Sequence, residues 1–179
     1  MGSVARGLLV ADRLIKRAAV RLLRADPVTP GKLAILFRGP EADVEEAFEE
    51  AVRVAGSQRL AELLLPYPHP ALFAGIEGEV QAWEDDRALG ILECTGVCAT
   101  LAAADAALKA SEVSLAAMHL ARGIGGKGYF VLSGAQYDVE AALDAGAAAA
   151  GSRDLVGRES LPRPPGELAF VLSRLQGKL

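Results

Sequence analysis

The chain has 179 residues, 51% apolar but only 5% aromatic, so alanine, valine and leucine must fill its interior, in one large domain or two small ones. A net charge of −4 offers no electrostatic footprint for nucleic acid or an anionic membrane, and neither is expected as a partner. Cys94 and Cys98 make no disulfide framework, which points to a reducing cytoplasm, and no stretch is apolar enough to span a bilayer.

In chain order, "MGSVARGLLVADRLIKRAAV" reads as an amphipathic helix, its apolar run broken by Asp12 and by four arginines and lysines. A strand follows, then a turn at Pro30-Gly31 and a second strand, "GKLAILFRG". The next helix gathers Val44, Ala47, Phe48, Ala51 and Val52 on one face, with Glu45, Glu46, Glu49 and Glu50 mostly turned to water. Glu41 and Asp43 suit the positive end of its dipole. A further strand and a short helix lead to the acidic stretch "EGEVQAWEDD" (77–86), the natural boundary between domains 1–80 and 81–179.

Beyond it, "ALGILE" (88–93) reads as a strand, and helix, strand, turn, strand, helix, strand and short helix follow again. The turn "GIGGKGYF" (123–130) resembles a phosphate-binding loop only at first sight. The P-loop pattern requires glycine where Ala121 stands and serine or threonine where Gly128 stands, and β-forming residues follow where a helix should begin.

The second half repeats the first. "VADRLIKRAAV" (10–20) aligns with "AADAALKASEV" (103–113) at an offset of 93, pairing Asp12 with Asp105 and Lys16 with Lys109. "GKLAILFRGPEADVEEA" from Gly31 aligns with "GKGYFVLSGAQYDVEAA" from Gly126 at an offset of 95, and "LLPYPHP" aligns with "SLPRPPG". Two copies of one module follow, of the α/β (α+β) class. Copy two is a β-α-β-β-α-β unit with helices on an antiparallel sheet. In copy one no residues correspond to "ALGILE", a strand that belongs at the centre of such a sheet, and exposed apolar surface and unpaired backbone groups are expected there.

The stretches "ALGILECTGVCATLAAADAALKASEV", "GIGGKGYFVLSGAQYDVEAALDAGAAAAG" and "SLPRP" resemble the tandem-domain, trimer-forming shell proteins of bacterial microcompartments. The likeness is greatest to the propanediol-utilisation type that carries an iron–sulfur cluster. This resemblance implies two ferredoxin-like shell domains, the first without its opening strand, and a flat homotrimer of six modules tiling with hexameric and pentameric shell proteins. It implies a central pore for small polar metabolites, rimmed by Thr29, Pro30, Gly31 and Lys32 from copy one. Gly123, Ile124, Gly125, Gly126 and Lys127 would complete the rim from copy two. Glycines there would let six backbones approach one axis; the plainer reading is a hairpin turn. Lys32 and Lys127 would lend positive potential to one mouth.

The same resemblance sets Lys16 and Lys109 at the disc edge, with Arg163 as the edge arginine of copy two and Tyr67 in its place in copy one. The plainer reading of each lysine is a solvated helix end. Glu112 and Ala19 replace an edge asparagine. Where the cluster-bearing relatives have cysteine before Pro-Gly-Lys, this chain has Thr29, so no cofactor or metal is carried over. The C-x₃-C pair reads as two small buried hydrophobes. His69 and His119 have no nucleophile or carboxylate at telling spacing, so no catalytic residue and no enzyme activity are assigned. Two other functions compete with the structural one: a redox or metal-carrying shell protein, and a ferredoxin-like trimeric regulatory protein that binds an effector between subunits.

Overall fold

The computed structural model describes residues 1–80, 82–83 and 86–175. The chain divides into two compact units between Pro66 and Tyr67. Unit 1 contains α1 (Val4–Arg17), β1 (Arg21–Val28), β2 (Lys32–Arg38), α2 (Glu41–Ala55) and a 3-10 turn, Gly56–Gln58. Unit 2 contains α3 (Pro70–Glu77), β3 (Ala88–Cys94), α4 (Val97–Ala110), β4 (Val113–Leu120), β5 (Gly128–Gly134), α5 (Gln136–Ala150), β6 (Leu155–Leu161) and α6 (Leu168–Leu175). The short helix read from the sequence as the end of copy one is α3, and it packs in unit 2. Of the acidic stretch 77–86, residues 81, 84 and 85 lie outside the described residues.

Helix α1 starts where Ser3 Oγ accepts the Arg6 N–H at 3.2 Å, and ends with Lys16 and Arg17 against the negative end of its dipole. Its buried residues are Gly7, Val10, Ala11 and Leu14, one stripe at helical spacing. Their repeat mates, Thr100, Ala103, Ala104 and Ala107, are all buried in α4. The same stripe thus seats the first helix of each copy on its sheet.

In unit 2 the sheet order is β4-β5-β3-β6, antiparallel throughout, with β3 paired to β5 from Ala88↔Gly134 to Cys94↔Gly128 and to β6 from Leu89↔Leu161. One face is covered by α4 and α5, and Phe130, Leu132, Leu92, Val139 and Leu143 are fully buried there. The other face is covered too: Trp83 and Leu172 of α6 pack with Leu89, Ala116, Ala117 and Val131, and Trp83 Nε1 donates to the Arg87 carbonyl at 2.9 Å.

Unit 1 is reduced. Its sheet has two strands, β1 and β2, in antiparallel register from Arg21↔Arg38 to Val28↔Lys32. The expected last strand of copy one does not form: residues 59–65, the mates of β6, run without strand pairing. The reason is visible in unit 2, where β6 pairs with β3 alone; among the described residues of unit 1 none pairs as β3 does, so 59–65 has no ladder to join. The apolar face expected on α2 is only partly covered: Ala47 is buried, while Val44, Phe48 and Ala51 remain half-buried.

Two contacts record how the copies diverged. A Cβ on Gly7 would stand 2.4 Å from Leu33 Cδ2, so α1 crosses β2 only because position 7 has no side chain. At the corresponding crossing in unit 2 the sizes are exchanged: Thr100 is on the helix, Gly128 is on the strand, and a Cβ on Gly128 would stand 2.4 Å from Thr100 Oγ1. Each crossing thus has one bulky and one empty position. Gly7→Thr is therefore expected to destabilise the chain by about 1–3 kcal/mol through overpacking, and Leu33→Gly to destabilise it through a cavity. In a urea-melting double-mutant cycle the pair should cost less than the sum by at least about 0.5 kcal/mol.

Candidate functional site

The residues expected to rim a pore lie in one hairpin turn of each unit. In unit 1 the turn is Thr29-Pro30-Gly31, between β1 and β2, with a cis bond before Pro30 and Gly31 at φ +67°. Pro30 and Gly31 are exposed, Thr29 and Lys32 half-buried. In unit 2 the turn runs from Ala121 to Lys127, with Gly123, Gly125 and Gly126 at φ +71°, +69° and +88°. Gly123, Ile124, Gly125 and Lys127 are exposed, and Gly126 is buried. Positive φ alone accounts for glycine at these positions.

The turns differ in their electrostatics. Lys127 Nζ pairs with Glu93 Oε1 of β3 at 2.9 Å, so its charge is largely met on the spot. Among the described residues no carboxylate pairs with its mate Lys32. Behind the unit 2 turn, the His119 and Tyr129 rings stack with centroids 5.3 Å apart, and His119 Nε2 lies 2.6 Å from the Arg122 carbonyl. The two rings brace the base of the turn. Burial also raises the Tyr129 phenol above its ordinary pKa.

At the helix ends, Lys16 Nζ reaches Asp12 Oδ1 at 2.5 Å with both side chains well exposed. Lys109 makes the same bond to Asp105 Oδ2, also at 2.5 Å, but there the carboxylate is buried. Its other oxygen, Oδ1, accepts the His69 N–H at 2.7 Å, just before α3 begins. Asp105 thus ties the start of α3 to α4, and Leu101 and Leu108, on the same stripe of α4, are 5% and 4% exposed. The repeat aligned the two aspartates and the two lysines; their ion pairing and the link to His69 are findings of the structure. Tyr67 is 80% exposed at φ +53°, and Arg163 is exposed beyond the end of β6.

Cys94 is buried, and desolvation, only partly offset by a hydrogen bond with Thr100, pushes its thiol from 9.0 up to about 11. A protonated, enclosed thiol is a poor ligand and nucleophile. Thr29 supplies a hydroxyl where iron–sulfur chemistry needs thiolate, so the turn does not fit a cluster. Among the described residues no group of three or more His, Cys, Asp or Glu side chains is placed to hold a metal, and no helix is long and apolar enough to cross a membrane.

The sequence pattern of the BMC domain matches residues 1–68 and again 88–164. The chain is 36% identical over 163 residues to the bacterial microcompartment shell protein PduT of Citrobacter freundii, covering 90% of this chain and 88% of that one. A solved microcompartment protein from Desulfitobacterium hafniense superposes with a TM-score of 0.87 at 34% identity, over 94% of both chains. The fused permuted hexameric shell protein of the RMM microcompartment shares the fold at a TM-score of 0.60 and 22% identity, over 80% of this chain and 76% of that one.

Asp105→Ala strips a buried acceptor from the His69 N–H and from Lys109, and a loss of about 1–3 kcal/mol is expected. Asp12→Ala breaks only an exposed pair and should cost at most about 1 kcal/mol; urea midpoints compare the two. The raised Cys94 pKa means that the folded chain holds this proton more tightly than the unfolded one. Its contribution to stability is therefore complete below pH 9.0 and is lost as pH rises through about 11. Cys94→Ala should flatten that part of a melting-temperature profile.

Proposed function

The chain belongs to the BMC-domain family and is a structural protein of a bacterial microcompartment shell; we propose that it serves there as a homotrimeric tile with a central passage. That family is structural, not catalytic, in role, and its members assemble into facets with other shell proteins.

One observation carries the trimer. On α4 the stripe Leu101, Asp105, Leu108 is covered, with α3 packed alongside and bonded to Asp105. On α1 the repeat mates Leu8 and Ile15 are 55% and 46% exposed, and Asp12 is exposed between them. The segment that covers the first stripe follows copy one of the module. The bare stripe of α1 is left for a second copy, which meets it with a different face of its own. Such a contact is heterologous, joining tail to head, and a ring is its closed form. Three chains provide six modules.

In that ring the turns at Thr29–Lys32 and Gly123–Lys127 line the centre, and the passage suits small polar metabolites, with Thr29 hydroxyls as donors and acceptors. Because Glu93 meets Lys127, Lys32 adds more positive charge at the mouth than its repeat mate does. Lys16, Lys109, Arg163 and Tyr67 lie at the outer edge and meet neighbouring tiles. Copy one offers Tyr67 where copy two offers Arg163, so the two kinds of edge prefer different neighbours.

Size exclusion with light scattering should give the mass of three chains. Leu8→Glu puts a charge on the stripe without touching the interior of unit 1, and should yield monomer with an unchanged far-ultraviolet spectrum. A monomeric parent chain, or a trimer indifferent to Leu8→Glu, would overturn the reading.

A further inference from the structure

We propose that unit 2 binds a small hydrocarbon or arene, of about four to seven carbon atoms, in an apolar pocket between its sheet and α6. The pocket lies wholly within unit 2 and needs no second copy.

The floor of the pocket is fixed by the sheet. Alternate residues of a strand share a side, so Leu89 and Ile91 of β3 and Tyr129 and Val131 of β5 lie together on the face turned away from α4 and α5. Both strands have two neighbours, with Ile91 opposite Val131, and the backbone N–H and C=O groups of this floor are engaged in ladders on either side. Leu168, Val171 and Leu172 of α6 form the roof, and Leu161 at the end of β6 forms a wall. The helix is anchored by Leu172, which is 6% exposed and packs with Trp83 where Ala116 and Ala117 leave room for it. Ile91 and Tyr129 stay half-buried, and a space of about 150 Å³ is left between floor and roof.

The chemistry of that space selects its occupant. It is several times the ~30 Å³ share of one water in the liquid, and native interiors leave few voids of that size. Water is a poor filling, because a buried water needs roughly two to four polar partners. Every lining side chain among the described residues is aliphatic except Tyr129, whose hydroxyl is the one polar side-chain group, and none carries a charge that would hold an ion or a polar head. Apolar cavities of about this volume stay dry and take up molecules the size of benzene. The rim is apolar as well, with Leu161 and Val171 36% and 44% exposed. Tyr129 also stacks on His119 at the base of the turn that ends at Lys127, so a bound molecule touches the brace of that turn.

The probe is benzene, added to the full chain with its isoleucine methyls labelled and followed by nuclear magnetic resonance. The Ile91 methyl should shift saturably, and the His119 ring, through Tyr129, in step with it. The methyl of Ile76, buried on α3 away from the pocket, should stay in place. Dioxane, a ring of the same size with two ether oxygens, should move none of them. Val171→Phe fills the space from α6 and should weaken benzene binding by roughly tenfold or more; Leu161→Phe does the same from the end of β6. No shift of Ile91 at saturating benzene overturns the proposal, as does an equal response to dioxane. A shift of Ile76 alongside Ile91 overturns it too, since benzene then partitions generally into the interior, and so does benzene binding unchanged in both phenylalanine variants. The trimer mass is read separately, so the pocket and the tile can fail independently.

Discussion

An antiparallel sheet of four strands depends most on the strand that has two neighbours. In unit 2 that strand is β3, which supplies backbone partners to β5 on one side and to β6 on the other, and presents Gly90 and Leu92 to the helices above. Among the described residues unit 1 has no counterpart of it, and its sheet is reduced to β1 and β2. Residues 59–65 carry leucines at strand-like intervals and still do not form a strand, because a strand is a pairing and not a property of one segment. The α2 face and the outer side of β2 are half-covered for the same reason. Side chains such as Phe37 forgo part of the roughly 1.5–3 kcal/mol that full burial of a large apolar group contributes.

Helices, turns and the duplication were legible in the sequence because each rests on local rules. Apolar residues at helical spacing marked α1 and α2, glycines marked the turns, and aspartate and lysine recurred at matching places in the two first helices. What stayed illegible was set by contacts far apart in the chain. The contact division falls at Pro66 because α3 follows copy one in sequence but packs beside α4 and β4. The His69 bond to Asp105 and the Glu93 bond to Lys127 likewise join residues 36 and 34 positions apart. The glycine turns show the opposite limit. Their identity was plain, and the structure supplies a local cause for it in the positive φ of Gly31, Gly123, Gly125 and Gly126.

The two copies have kept a common stripe and divided its uses. On α4 the outer stripe is closed by the chain itself, with a buried carboxylate as the fastening; on α1 it stays bare. A duplicated module in which one copy finishes its contacts internally and the other leaves them open has direction, and direction is what a head-to-tail ring needs. The electrostatics diverge in the same sense: the lysine at one turn is neutralised by its own sheet, and the other is left to act on what approaches.

The exchanged sizes at the two helix–strand crossings also bear on how such a gene keeps its halves distinct. Sequence transfer between the repeats tends to homogenise them. A hybrid with the helix of copy two over the strand of copy one would press Thr100 against Leu33; the reverse hybrid would set Gly7 over Gly128 and leave a hole. Either product of partial conversion packs worse than both parents. Each crossing therefore accepts its own helix over its own strand and penalises the mixed pairing, so the two repeats are not interchangeable at this place.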